Sequence, residues 1–84
     1  MVWECQKGVE SKLPKLKSTD LTSGFKVLGD CKKACGTTKG CVALNWHVTD
    51  LHCHVLVGSA TREEWKKGIK VLAGFDSCVL TKPH

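Results

Sequence analysis

The 84-residue chain contains no tyrosine, and Arg62 is the only arginine among its thirteen basic residues. It also has no apolar run of the length that a membrane-spanning helix needs, so we do not expect membrane insertion. Without tyrosine, few aromatic side chains remain to stack on sugar rings. Scarce arginine disfavours bidentate recognition of phosphate, and the lysines are not interleaved with aromatic residues, so nucleic-acid binding is not expected.

The formal net charge of +5 comes mainly from lysine. Lysine side chains favour solubility and a diffuse attraction to polyanions rather than one defined anion site. The simplest interpretation of this charge is a solvated basic surface.

Six cysteines are distributed along this short chain, with one near each end: Cys5, Cys31, Cys35, Cys41, Cys53 and Cys78. An even number of cysteines in so short a chain is typical of a disulfide framework, which forms in an oxidising compartment. A domain of this size benefits from such bridges because its apolar core alone gives marginal stability. Six paired cysteines leave no thiolate nucleophile, and no serine or threonine lies in a recognisable nucleophile motif, so we predict that the protein is not an enzyme.

The N-terminal sequence lacks the charged and apolar regions of a secretory signal, although the cysteines imply export. No linker, internal repeat or low-complexity run divides the chain. We therefore interpret residues 1–84 as a single domain excised from a larger multidomain secreted protein, with neighbouring modules in the same chain.

The first part of the chain is predicted to be extended. Residues 3–9 form a candidate first strand, in which Gly8 is a break. Pro14 argues against a helix interior or a central strand, so residues 11–23 are interpreted as an extended loop or a sheet edge.

A short helix is predicted between Asp30, a good N-cap, and Gly36, a good C-terminal stop. Cys31 and Cys35 are four residues apart and therefore share one face of this helix.

A hairpin is predicted from residue 41 to residue 57. The first strand alternates, with one face carrying Val42, Leu44, Trp46 and Val48 and the other carrying Ala43, Asn45 and His47. Thr49 and Asp50 supply turn residues, and residues 52–57 return as the partner strand.

Thr61 and Glu64 fit a capping box, which predicts a short helix through Lys67. Residues 74–80 are predicted to form a closing strand that brings Cys78 near Cys5. These elements predict an α+β fold, in which a small antiparallel sheet packs on one central helix and is stapled by three disulfides.

The spacing C-x3-C-x5-C from Cys31 to Cys41, followed by the alternating strand, resembles the core of the PAN/apple superfamily. The segments that begin at Cys53 and end at Cys78 are also similar to this family, so the resemblance covers nearly the whole chain. The resemblance implies three bridges: Cys5–Cys78, Cys31–Cys53 and Cys35–Cys41. The sequence by itself leaves other pairings open.

The Cys5-Gln-Lys-Gly-Val9 start and the short interval between Cys41 and Cys53 are similar to apple modules of apicomplexan microneme adhesins. The pair Asn45-Trp46 inverts the aromatic-Asn order that these modules often have. The resemblance implies an extracellular adhesion module, secreted through a parasite microneme, that binds a protein receptor or a cell-surface glycan during host-cell attachment. The alternatives are a heparin-binding module, a zinc-stabilised structural domain and a small secreted inhibitor.

Four lysines around the predicted helix are candidate ligand-binding residues: Lys26, Lys32, Lys33 and Lys39. A related growth-factor module binds heparin through basic residues around the corresponding helix. The resemblance therefore implies sulfated glycans as a ligand class.

Neutral-sugar binding, which some related modules show, needs an aromatic platform. We expect Trp46 to lie in the core and Trp3 and Trp65 to be exposed. A protein contact would use an exposed apolar or aromatic patch that includes Trp65 or Trp3.

His47, His52 and His54 cluster around the predicted hairpin turn. A four-residue turn would place His47 opposite His52, while His52 and His54 share one strand face. Three imidazoles on one face could hold zinc. Against this, Asp50 is the single candidate for a supporting carboxylate. Because the cysteines are better used in disulfides, we predict no cofactor and keep this zinc site as the alternative.

Overall fold

A computed structural model of the protein describes residues 2–82. The elements in chain order are β1 (Val2–Ser11), β2 (Lys17–Leu21), α1 (Leu28–Thr37), β3 (Cys41–His47), β4 (His52–Val57), α2 (Arg62–Lys67) and β5 (Ile69–Lys82). The five strands form one antiparallel sheet in the order β1-β5-β3-β4-β2. The predicted α+β class is confirmed. Neither described helix has the length and apolar character to cross a bilayer.

The sheet is covered on both faces, whereas the sequence predicted a single central helix. On one face α1 packs through two cysteines against Leu44, Trp46 and Val55. On the other face Trp65 of α2 packs against Leu56 and other apolar side chains of the sheet. Neighbouring residues of one strand point to opposite faces, so each central strand contributes to both cores.

A bulge at the start of β3 determines which face of the sheet the Cys41 side chain lies on. The register with β4 shifts between Cys41 and Ala43, so one extra residue is accommodated there. Cys41 therefore lies in the same core as Leu44, while Val42 packs against the opposite core. The predicted facing of Val42 was wrong for this reason, and Val48 lies exposed in the turn after β3 instead of in the strand.

Helix α1 begins three residues earlier than predicted. Val27 is the N-cap, and Asp30 lies in the first turn, where its carboxylate accepts hydrogen bonds from the backbone N–H groups of Lys26 at 3.0 Å and Val27 at 3.3 Å. Asp30 thus satisfies free amides of the helix end from inside the helix. Gly36 does not stop α1, which runs on to Thr37.

The predicted capping box of α2 is confirmed. The Thr61 hydroxyl accepts from the Glu64 amide at 3.1 Å, and the Glu64 carboxylate accepts from the Thr61 amide at 3.1 Å. Two predicted strands differ in extent: β1 begins at Val2, and β5 begins five residues before Gly74. The segment around Pro14 leads into β2, which is an edge strand paired with β4.

Three disulfides join these elements, and they are the pairs that the resemblance implies: Cys5–Cys78, Cys31–Cys53 and Cys35–Cys41. Cys5 and Cys78 are direct neighbours in the β1–β5 ladder. The other two bridges fasten Cys31 and Cys35 of α1 to strands β4 and β3. All six cysteines are thus paired.

Candidate functional site

The three histidines lie on the sheet face opposite α1. A four-residue turn joins β3 to β4 and places His47 directly opposite His52, as predicted. His54 follows two residues later and projects to the same face as His52. All three side chains are partly buried, so their ring nitrogens lie near solvent within a fixed strand framework.

Edge strand β2 adds a carboxylate to this face that was not among the predicted site residues. Asp20 is the direct neighbour of His54 in the β2–β4 ladder. Its Oδ2 lies 3.7 Å from His52 Nδ1, and its Oδ1 lies 3.9 Å from His54 Nε2. One ligand atom from each of these three residues falls within 4.8 Å of the other two. We call Asp20, His52 and His54 the Asp-His-His cluster.

His47 has a different environment. Its Nδ1 lies 3.1 Å from Asp50 Oδ2, its Nε2 lies 3.4 Å from the Thr49 hydroxyl, and its ring stacks on Phe75 with centroids 4.4 Å apart. The ligand atoms that lie within 4.8 Å of one another are those of Asp20, His52 and His54, so His47 is not part of the Asp-His-His cluster. Asp50, the candidate supporting carboxylate, does contact one of the three predicted imidazoles, that of His47.

The carboxylate of Asp30 lies among the four lysines of the predicted ligand-binding surface. Its pKa is lowered mainly by hydrogen bonds from the Lys26 and Val27 amides, and the charges of Lys33 and Lys26 lower it further. Two of the four candidate lysines therefore lie near a carboxylate that offsets their charge. Lys39 lies in the loop after α1, beside a groove lined by Thr37 and Thr38.

The tryptophans do not provide a sugar platform. Trp46 is buried, as predicted. Trp65 is 1% exposed, so its expected exposure was wrong, and its indole lies in the core beneath α2. Trp3 is partly buried against the disulfide core. Aromatic stacking on a sugar needs an open ring face, which no tryptophan of the described chain offers fully.

Exposed apolar residues gather where β5 leaves the β1 ladder. The register jumps from Lys7 opposite Asp76 to Val9 opposite Val71, so residues 72–75 bulge out. Val71 is 90% exposed and Leu72 is 41% exposed. The amide of Val48 in the β3–β4 turn donates to Gly74 O at 2.8 Å, which places this exposed valine beside the bulge. We call Val48, Val71 and Leu72 the apolar bulge.

A small cleft of about 300 Å³ lies between α2 and the β1–β2 connection. Its apolar lining residues are Leu13, Pro14, Leu16 and Ala60, and lysines and one carboxylate also line it. That carboxylate, Glu64, is already engaged in capping α2. Its pKa is lowered by the Thr61 backbone hydrogen bond and, to a smaller extent, by the Thr61 hydroxyl and the charges of Lys15 and Lys67.

No family model matches this chain, and neither the curated proteins nor the solved structures include one that is significantly similar to it.

Proposed function

We propose that the protein is an extracellular adhesion module of the PAN/apple type, part of a secreted adhesin, and that it binds a protein receptor. The pairing of all six cysteines supports an oxidising, extracellular setting. The cysteine spacing and the order of the elements support the family. Attachment of a parasite to its host cell, after secretion through the microneme, is the setting that the resemblance favours.

The observation that carries the binding proposal is the apolar bulge. A valine with 90% of its surface in water contributes nothing to the core of its own domain. Contiguous exposed apolar residues beside polar ones are typical of protein contact sites. The bulge adjoins partly exposed Phe75 and His47, which extend the apolar surface with two stacked rings.

Glycan binding is the weaker candidate for two structural reasons. Trp65 is buried and cannot stack on a sugar. Lys26 and Lys33 lie near the carboxylate of Asp30. Its negative charge reduces the positive field that a sulfated glycan would need.

The proposal is tested by adhesion of the tetramerised, oxidised module to intact cells. We expect binding to fall after brief protease treatment of the cells and after the change Val71→Asp, and to persist after heparinase treatment. Val2→Asp is the matched control, because Val2 is also an exposed strand valine but lies at the opposite end of the β1–β5 ladder.

A triple change of Lys32, Lys33 and Lys39 to Ala separates the two ligand classes. Loss of adhesion in this variant and after heparinase, with Val71→Asp unaffected, would replace the protein receptor with a sulfated glycan. Absence of adhesion to every cell type tested would remove the adhesion proposal itself.

A further inference from the structure

We propose that the Asp-His-His cluster is a surface site for a divalent transition metal ion, with Zn²⁺ as the ion that its chemistry favours. The site differs from the three-imidazole site expected from the sequence, because Asp20 replaces His47. It shares no residue with the apolar bulge, and metal binding can be tested without a receptor.

The separations between the ligand atoms are somewhat longer than those of a filled site. Bonds of about 2.1 Å in a tetrahedral arrangement place neighbouring ligand atoms about 3.4 Å apart. The Asp20 oxygens lie 3.7 Å from His52 Nδ1 and 3.9 Å from His54 Nε2. One ligand atom from each of the three residues lies within 4.8 Å of the other two, so side-chain rotation has to shorten these separations by at most about 1.4 Å when an ion binds.

The backbone beneath the cluster is held in place. Cys53 lies between the two histidines in β4 and is bridged to Cys31 of α1. Asp20 is fixed opposite His54 by the antiparallel β2–β4 ladder. A ligand set on strands that are braced in this way loses little conformational entropy when the ion binds.

The donor types select the class of metal. Two imidazole nitrogens and one carboxylate oxygen suit Zn²⁺ and neighbouring transition metals, whereas Ca²⁺ and Mg²⁺ prefer sites made of oxygens. The cysteines are all in disulfides, so no thiolate elsewhere in the chain competes for the ion. Asp20 is 46% exposed, which leaves a side of the cluster open to a water molecule as the fourth ligand.

The cluster does not include His47, whose ring nitrogens contact Asp50 and Thr49. This difference provides matched controls. Asp20→Asn and Asp50→Asn change the same group on neighbouring segments, and His52→Ala and His47→Ala change directly opposed residues.

The test is titration of the oxidised protein with Zn²⁺ alone by calorimetry, and with Co²⁺ alone by visible absorption. We expect one ion per chain, an affinity lowered at least about tenfold by Asp20→Asn or His52→Ala, and little change in Asp50→Asn or His47→Ala. Far-UV circular dichroism of each variant checks that the sheet is retained. Removal of the ion with a chelator should leave the protein folded, since the disulfides hold the fold.

Equal binding by all four variants, or no binding by the parent protein, would overturn the site. A loss in His47→Ala as large as that in His52→Ala would overturn the Asp20 assignment in favour of three imidazoles. Binding of Ca²⁺ in preference to Zn²⁺ would contradict the argument from the donor types.

Discussion

The indole Nε1 of Trp65 donates a hydrogen bond to Ser77 Oγ at 2.8 Å, and both side chains are almost completely buried. Ser77 Oγ in turn donates to Leu44 O at 3.3 Å. The two bonds connect α2 through β5 to the centre of β3. A buried polar chain of this kind is favourable only while each donor has its acceptor.

Replacement of Ser77 by Ala should lower the free energy of unfolding by about 1–3 kcal/mol, because the buried indole N–H then has no partner. The matched control is Thr81→Ala on the same strand. Its hydroxyl also donates to a backbone carbonyl, Val2 O at 3.1 Å, but it is exposed. The control should cost less than about 0.5 kcal/mol. Denaturant unfolding under non-reducing conditions measures both.

A double-mutant cycle isolates the Trp65–Ser77 bond. In the background Trp65→Phe, which has no indole N–H, Ser77→Ala should cost clearly less than in the parent protein. An equal cost in the two backgrounds would show that the serine acts through Leu44 alone.

Gly68, the residue after α2, should not tolerate a side chain. A Cβ at Gly68 would lie 2.4 Å from the backbone oxygen of Lys12, whose amide donates to Gly68 O at 2.8 Å. Gly68→Ala should therefore separate α2 from the end of β1 and lower the thermal midpoint. Gly29→Ala is the control, since a Cβ there meets only the Val27 side chain at 3.9 Å and alanine favours the helix by about 0.5–1 kcal/mol. A lower midpoint in Gly29→Ala than in Gly68→Ala would contradict this explanation.

The three disulfides should differ in their contribution to stability. Cys5–Cys78 closes a loop with a sequence separation of 73, whereas the separation of Cys35–Cys41 is 6. In the chain-entropy account, the loss of the first bridge costs about 4 kcal/mol and the loss of the second about 2 kcal/mol. Paired Cys→Ser variants, compared by denaturant unfolding, check this order. The reverse order would show that native contacts, and not the unfolded chain, determine the effect.

The Arg62–Glu4 ion pair should make stability depend on pH in the acid range. A side-chain hydrogen bond from Arg62 holds the Glu4 pKa below its ordinary value of 4.5, and the charge of Arg62 adds to the effect. Since the folded pKa lies below the unfolded one, the pair stabilises the protein above about pH 4.5, and this contribution is lost as the pH falls through the folded pKa.

The measurement is the thermal midpoint of the parent protein and of Arg62→Gln from neutral pH to acid. The midpoints should differ at neutral pH and converge in strong acid. High salt should reduce the difference at neutral pH, because both side chains are accessible to solvent. A difference that is constant with pH would assign the effect of Arg62 to packing.

Local patterns predicted the parts of the fold that depend on neighbouring residues. The Thr61–Glu64 capping box and the turn that places His47 opposite His52 are set by residues within a few positions of each other. The burial of Trp65 was missed because a six-residue helix has too few turns to reveal which side faces a core. The alternation of apolar and polar residues in β3 also failed to show that both faces of this strand are covered. The bulge at Cys41 shifts the side-chain pattern by one residue at the start of the strand.

The sequence predicted the two histidines of the Asp-His-His cluster but not its carboxylate. His52 and His54 are neighbours on one strand, and their shared face follows from strand geometry. Asp20 comes from an edge strand that pairs with β4 across the intervening α1 and β3. Such a pairing depends on the non-local packing of the sheet. The signal that points to Asp20 is its position within residues 11–23, the polar segment that the sequence predicts to be an extended loop or a sheet edge.

The pairing of Cys5 with Cys78 in adjacent strands determines how the domain responds to mechanical load. Val2 and Lys82 are register neighbours, so a pull on both ends of the described chain is applied at one corner of the sheet. Only residues 2–4 and 79–82 can peel apart before the tension reaches the covalent bridge. The bridge then carries the force directly from one strand to the other, and the apolar bulge and the Asp-His-His cluster remain unloaded and keep their shape.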